Sequence, residues 1–277
     1  LSVDCSKPEK RRKPVGKKDS VFVDNPPGLR EKLSSARVGV AGCGGIGSNV
    51  ALLLARAGVA SLVLADHDRV EERNLNRQCY FRRHVGMPKV EALRQEILDI
   101  GGGTRVRALE RRIDERNASR LFKGCGVLVE ALDLDESKEM LLEAWLSAFP
   151  GTPVVACSGV AGIGDASMIR ADRRAGLTMV GDGVSLLNLG TLSARVCLVA
   201  SVMALEVVRI LSGHVSRCGT CEEPCFNGVK VESNGTPVPL SGFPAKALEG
   251  ALRGLLSAYR GVDHRGSIEI RLSESSR

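Results

Sequence analysis

The chain reads as an α/β protein: a Rossmann-like, mostly parallel sheet with helices on both faces, followed by a small C-terminal α+β module of ββαβ order. Three observations predict this. A glycine-rich turn separates the first apolar strand from a helix. Short apolar runs then alternate with helical segments as far as residue 156. Beyond a cysteine-rich stretch the pattern changes to period-2 strands around one amphipathic helix.

Residues 1–28 form a basic tail, in which residues 7–18 hold Lys7, Lys10, Arg11, Arg12, Lys13, Lys17 and Lys18 against Glu9 alone. Such a run is either a solvated arm or a steering device for an acidic protein or nucleic acid. Asn25-Pro26-Pro27-Gly28 is turn chemistry, and Leu29 to Leu33 begins a helix. Val38 to Ala41 is the first strand, apolar throughout as a buried parallel strand must be. Gly42, Gly44 and Gly47 then fit G-x-G-x-x-G. Gly42 suits the tight turn, Gly44 lets backbone approach a phosphate, and Gly47 lets the helix Ser48 to Ala57 pack close to the strand. The helix N-terminus faces any anion held there. Ser61 to Ala65 is the second strand and ends on Asp66, at the distance where such folds hold a ribose by its hydroxyls.

The alternation continues past a polar loop. Val90 to Ile100 is a helix closed by Gly101-Gly102-Gly103, and Arg105 to Leu109 is the third strand. A short helix over Asn117 to Lys123 leads to the fourth strand, Gly126 to Ala131. Ser137 is the expected N-cap of a helix running to Phe149, and Pro153 to Ala156 is the fifth strand. Residues 157–194, rich in Gly, Ser and Ala, are expected to form the floor and crossover of the substrate side, with a strand over Ser167 to Ala171. Asp182 and Asn188 are read there as exposed loop residues without a role. Arg195 to Leu211 is an apolar helix, suited to the core or to a dimer contact. The domains read as 29–213 for the nucleotide-binding unit, 214–226 for a cysteine-rich hinge, and 227–277 for the C-terminal module. That module has strands near Lys230 and Thr236, a helix from Phe243 to Tyr259, and a strand from Ser267 to Leu272.

Composition excludes several classes. A hydrophobic fraction of 43% with 26% charged residues is that of a globular protein. Aromatics at 3% are too scarce for platforms that stack single-stranded nucleic acid, so nucleic acid is not the expected partner. The apolar stretch Val196 to Leu205 is too short to span a bilayer, and the first residues show no signal-peptide pattern. Nine scattered cysteines, an odd number, fit a reducing cytoplasm.

The glycine turn and Asp66 do not separate NAD from ATP. The loop that follows does, because Asp68, Asn74, Arg77, Gln78 and Lys89 crowd into a short polar stretch. Hydride transfer needs no such cationic set, whereas a triphosphate does: Arg and Lys neutralise charge on its oxygens. The run Asp66-His67-Asp68-Arg69-Val70-Glu71, then Asn74-Leu75-Asn76-Arg77-Gln78, then Gly86-Met87-Pro88-Lys89, resembles the ThiF/MoeB superfamily, the bacterial relatives of ubiquitin-activating enzymes. The resemblance spans about residues 29 to 213 and is nearest to the short ThiF-type sulfur-carrier adenylyltransferases, which Pro153 to Gly162 and Leu192 to Val196 also resemble.

The resemblance implies an ATP-dependent adenylyltransferase. Its substrate would be the C-terminal Gly-Gly carboxylate of a ubiquitin-like sulfur carrier, of ThiS or MoaD type, in thiamine or molybdopterin biosynthesis. It implies Gly42, Gly44 and Gly47 on the nucleotide, Asp66 on the ribose, Asn74, Arg77 and Lys89 on the phosphates, and Asp133 on Mg²⁺. Leu134 stands where many relatives have Asn after that Asp, and Asp135 would serve if the register slipped. A homodimer and a sulfur-donor protein are further implied partners. Relatives often supply an N-terminal arginine from the second subunit, for which Arg30 is the nearest candidate. Many relatives also carry two CxxC pairs around zinc. This chain has Cys218 and Cys221, with Cys225 and His214 nearby. That spacing suits the four ligands of one zinc, and equally persulfide or disulfide chemistry. A non-catalytic nucleotide-binding scaffold and an NAD-dependent oxidoreductase remain the alternatives.

Overall fold

The computed structural model describes residues 20–174 and 176–213, together with the short stretches 229–233, 236–237 and 268–272. Chain contacts divide the molecule into two units, Leu1–His214 and Val215–Arg277.

In the first unit seven strands form one sheet. They are β1 (Arg37–Ala41), β2 (Ser61–Asp66), β3 (Arg105–Glu110), β4 (Val127–Glu130), β5 (Val154–Cys157), β6 (Arg170–Arg174) and β7 (Leu177–Gly181), in the spatial order β3-β2-β1-β4-β5-β7-β6. All neighbours are parallel except β6 and β7, which form an antiparallel hairpin at the edge. The helices are α1 (Leu29–Leu33), α2 (Gly45–Ala57), α3 (Lys89–Asp99), α4 (Ala118–Leu121), α5 (Asp135–Ala148) and α6 (Ser193–Ser212).

The period-2 geometry of the strands builds two cores. Leu62, Leu64, Val127 and Val129 point to one face, against Val50 and Leu54 of α2, Leu93 of α3 and Met203 of α6. Val63, Ala65 and Leu128 point to the other, against Phe122, Leu141 and Trp145. The buried indole of Trp145 donates to Thr152 O at 3.3 Å, so no polar atom is left bare there. The strand order reverses at β1, between β2 and β4, and open sheets of this kind bind ligands at the carboxyl ends of the strands beside that switch.

Several sequence expectations shift. Helix α2 begins at Gly45, so Gly45 and Gly47 lie inside its first turn. Helix α5 begins at Asp135, before Ser137, which is not the N-cap; Asp135 and Glu136 in the first turn suit the positive end of the helix dipole. Ser167 sits in a short 3-10 turn whose cap is Asp165, and the strand starts only at Arg170. Strand β7 has no counterpart in the sequence reading. Asp182 is also not an exposed loop residue: its side chain is 7% exposed and pairs with Arg195 of α6.

In the second unit a three-stranded sheet of order β10-β8-β9 joins Val229–Ser233 (β8), Thr236–Pro237 (β9) and Ile268–Leu272 (β10), with β8 and β9 antiparallel as the hairpin reading expects. The expected helix from Phe243 to Tyr259 lies outside the described residues, as do His214, Cys218, Cys221 and Cys225. Among the described residues no helix is long and apolar enough to cross a membrane.

Candidate active site

The glycine turn is built by sterics. Gly42 takes φ 89°, and a Cβ there would lie 2.5 Å from Ala131 O, so a side chain is excluded twice over. A Cβ on Gly47 would lie 1.9 Å from Gly42 O, which is how closely α2 sits on the turn. Gly44 is different. A Cβ there meets no protein atom nearer than Gln78 Nε2 at 3.9 Å, so the missing side chain leaves open space above the backbone.

Asp66 closes this turn from the end of β2. Its Oδ2 accepts the Cys43 N–H at 2.7 Å and its Oδ1 accepts the Asp68 N–H at 2.8 Å. Tyr80 closes it from the other side, donating its hydroxyl to Cys43 O at 2.7 Å. Burial pushes the Tyr80 phenol well above its ordinary pKa, so it stays a donor.

The loop after β2 carries the cations. Asn74 is buried, and its Oδ1 accepts the Glu71 N–H at 3.0 Å, which folds a 3-10 turn. In this state Asn74 shapes the loop. Arg77 follows on the same turn, held from below by Asn49 of α2, whose amide donates to Arg77 O at 3.1 Å. The guanidinium donates to Arg73 O at 3.1 Å and to Asn76 Oδ1 at 2.8 Å. Gln78 is buried beside the glycine turn, and its Oε1 has no partner among the described residues. A buried bare acceptor is costly unless a ligand supplies the donor. Lys89, the first residue of α3, is buried and donates to Asp68 Oδ2 at 2.7 Å. Burial works against the Asp68 charge, but Lys89 outweighs it and holds the carboxyl below its usual range.

Gly42, Gly44, Asp66, Asn74, Arg77, Lys89 and Asp133 all line one cleft of about 1310 Å³. Small-ligand pockets run to roughly 300–1,000 Å³, so the cleft has room for a nucleotide and a second reactant. Gly47 stands behind it. Asp133 is exposed on the loop between β4 and α5, and its carboxylate has no partner among the described residues. Free carboxylate oxygens are the hard donors that Mg²⁺ takes, so this residue fits that ion. Asp66, His67 and Asp68 also bring three ligand atoms within 4.8 Å of one another. Those oxygens already serve two backbone amides and Lys89.

Arg30 does not join the cleft within this chain. It donates to Gly58 O at 3.0 Å and lies over the Phe22 ring, at the far end of α2. Two residues to which the sequence gave no role line the cleft, Gln78 and Lys138, and two more, Tyr80 and Glu130, bond to the backbone around it. Tyr80 carried a signal, since the chain has only two tyrosines and this one follows the cationic loop. Glu130 is fully buried at the end of β4, where burial raises its pKa and Lys138 offsets part of that rise. Cys157 lies beside them, its thiol pushed up to about 11 by burial.

The ThiF family model matches residues 18–229. The probable adenylyltransferase/sulfurtransferase MoeZ of Mycobacterium tuberculosis is 32% identical over 201 residues, covering 66% of this chain and 50% of MoeZ. The SAMP-activating enzyme E1 of Haloferax volcanii is 34% identical over 125 residues, covering 45% of this chain and 46% of that protein. The chain thus spans about half the length of the curated relatives it matches. Among solved structures, the E. coli tRNA N6-threonylcarbamoyladenosine dehydratase TcdA in complex with AMP has a TM-score of 0.64 at 20% identity, over 72% of this chain and 95% of TcdA. E. coli MccB in complex with ATP has a TM-score of 0.55 at 20% identity, over 68% of this chain and 58% of MccB.

Proposed function

The chain belongs to the ThiF family, and on that footing we propose that it activates a carboxylate with ATP, adenylating the C-terminal Gly-Gly of a ubiquitin-like sulfur carrier of ThiS or MoaD type. The observation that carries this reading is the convergence of Arg77, Lys89 and Asp133 on the cleft that the glycine turn and Asp66 begin.

A carboxylate oxygen attacks the α-phosphorus, a new O–P bond forms, and pyrophosphate leaves with the electrons of the broken bridge. The amides at the start of α2 and the open space above Gly44 receive phosphate. Asp66 has lone pairs left for a ribose after serving two amides. Arg77 and Lys89 stabilise charge on the phosphates as it develops, Lys89 leaving Asp68 to do so. Asp133 would hold Mg²⁺, which when bound neutralises the phosphate oxygens. No side-chain nucleophile is needed.

Val184 and Leu186 line the cleft yet stand 75% and 67% exposed. Apolar side chains on a cleft wall support a protein-sized acyl substrate, and a homodimer and a sulfur-donor protein belong to the same proposal. A second reading keeps the adenylation and changes the acyl substrate. It is favoured by the fold likeness to TcdA, a tRNA-modifying dehydratase, and to MccB.

The test is Mg²⁺-dependent ATP–pyrophosphate exchange with each Gly-Gly-ending carrier in turn, and with tRNA. Exchange that requires one carrier, and that Arg77→Ala and Asp133→Ala abolish without loss of fold, is the expected result. Exchange driven by tRNA alone moves the chain to the second reading. NAD binding without ATP binding overturns both.

A further inference from the structure

The loop that carries Asp133 is short and anchored at both ends. At one end the Ala131 N–H donates to Ala41 O of β1 at 2.9 Å. Next to it, the Leu132 N–H donates to Glu130 Oε1 at 2.7 Å. At the other end α5 starts at Asp135, and the Lys138 N–H closes its first turn on Leu134 O at 3.0 Å. Asp133 therefore stands between a pinned residue and a helix terminus.

The pin at Leu132 is a buried carboxylate, which keeps its charge only beside a cation. Lys138 supplies it. Its Nζ lies 3.0 and 2.9 Å from the two Glu130 oxygens, and its remaining donor reaches Cys157 O at 3.2 Å. All three hydrogens of the ammonium are thus spent on the ends of β4 and β5, and none is left for a ligand. One lysine on α5 ties together the two strand ends that flank the cleft.

We propose that Lys138 and Glu130 are positioning residues for Asp133: they fix the turn that presents its carboxylate to the metal end of the cleft. This rests on the reading of Asp133 as the Mg²⁺ ligand given above. Both spend their hydrogen bonds on protein groups, so neither is assigned a contact with nucleotide or metal. Their effect is felt as the geometry of the Leu132 turn.

The test pairs two readouts on the full chain. The first is amide hydrogen exchange at Leu132 by NMR. The second is Mn²⁺ affinity, by electron paramagnetic resonance, with a non-hydrolysable ATP analogue present. Lys138→Met is expected to raise Leu132 exchange by an order of magnitude or more. It should weaken Mn²⁺ binding by about 10- to 100-fold, as losses of outer-sphere partners do. Lys138→Arg restores both, because a guanidinium forks onto the same carboxylate. Should Lys138→Met not fold, the double variant Glu130→Gln, Lys138→Met decides. Its neutral amide oxygen still accepts from Leu132, so protection is kept without the lysine. Wild-type exchange and wild-type Mn²⁺ affinity in Lys138→Met overturn the proposal, as does unprotected Leu132 in the folded double variant. If Asp133→Ala binds Mn²⁺ as tightly as wild type, the metal assignment itself falls, and the proposal with it. That failure is distinct from the first.

Discussion

Lys89 Nζ lies 2.7 Å from Asp68 Oδ2, and the two differ sharply in exposure: the lysine side chain is 8% exposed and the aspartate 51%. A buried cation is thus held at the cleft by a partner that water reaches easily. On the proposed function, an incoming phosphate takes the place of this exposed aspartate on Lys89. Lys89→Met keeps the length of the stem that fills this site and removes the charge. It is expected to retain its fold by circular dichroism and to lose roughly 100- to 1,000-fold in pyrophosphate exchange, the usual effect of deleting one transition-state donor. Asp68→Asn should retain exchange, because the carboxylate is only the resting partner.

His84 supplies a pH dependence. Its Nδ1 accepts the Phe81 N–H at 3.1 Å, and its Nε2 lies 3.2 Å from Glu96 Oε1. Both bonds are made by one neutral tautomer, with the proton on Nε2. A second proton at Nδ1 breaks the bond to Phe81. Burial, aided by Arg83 and opposed by Glu96, lowers the pKa from its ordinary value. The unfolded chain then takes up a proton near pH 6.5, before the native state does. Stability is full above that value and is lost as pH falls toward the lower native pKa. The melting temperature should drop between pH 7 and pH 5, and His84→Gln should flatten that drop. Equal slopes in the two proteins would remove His84 as the cause.

The turn that begins the candidate site was legible before the structure, because its constraints are local. The glycines at 42, 44 and 47 and the acid at 66 follow from sterics and strand length, and the structure places strands β1 to β5 within two residues of the sequence reading. What was missed depends on packing between distant segments. Leu177–Gly181 lies in a glycine-rich stretch and buries only Thr178 and Val180, too short an alternation to read as a strand, yet it pairs with β5 across the whole of that strand. Asp182 looks like a loop residue in sequence because its partner is Arg195, on the next helix. Glu130 and Lys138 look like ordinary strand-end and helix-surface charges. Only the meeting of β4, β5 and α5 pairs the buried Glu130 with the partly buried Lys138.

The Asp182–Arg195 pair has its own test. Both side chains are at least nine-tenths buried, and Arg195 also donates to Gly164 O at 2.9 Å. Asp182 Oδ1 accepts the N–H groups of Val184 and Ser185 at 2.9 and 2.8 Å, and so anchors the cleft wall. Arg195→Met leaves a buried carboxylate without its cation, which costs about 3–5 kcal/mol. Adding Asp182→Asn removes that bare charge and should return part of the loss. Denaturant melts of the single and double variants decide it. A double variant less stable than the single would show that the pairing is not what holds the wall.

The glycine turn offers a contrast within one motif. A methyl on Gly47 would sit 1.9 Å from Gly42 O, and neither atom can yield, since one belongs to the first turn of α2 and the other to the turn beneath it. Gly47→Ala is therefore expected to destabilise the whole sheet–helix joint, by about 1–3 kcal/mol or more on the scale of overpacked cores. Gly44 has a negative φ of −79°, and a methyl on it would meet no protein atom nearer than 3.9 Å. Gly44→Ala should melt close to wild type, yet its methyl would occupy the space through which a phosphate reaches the first amides of α2. Nucleotide affinity should fall by tenfold or more in a protein whose stability has hardly changed. Calorimetric titration with an ATP analogue, set beside thermal melts of both variants, separates the two. If Gly44→Ala bound nucleotide like wild type, the phosphates would have to lie elsewhere in the cleft, and the roles of Arg77 and Lys89 would need to be redrawn around them.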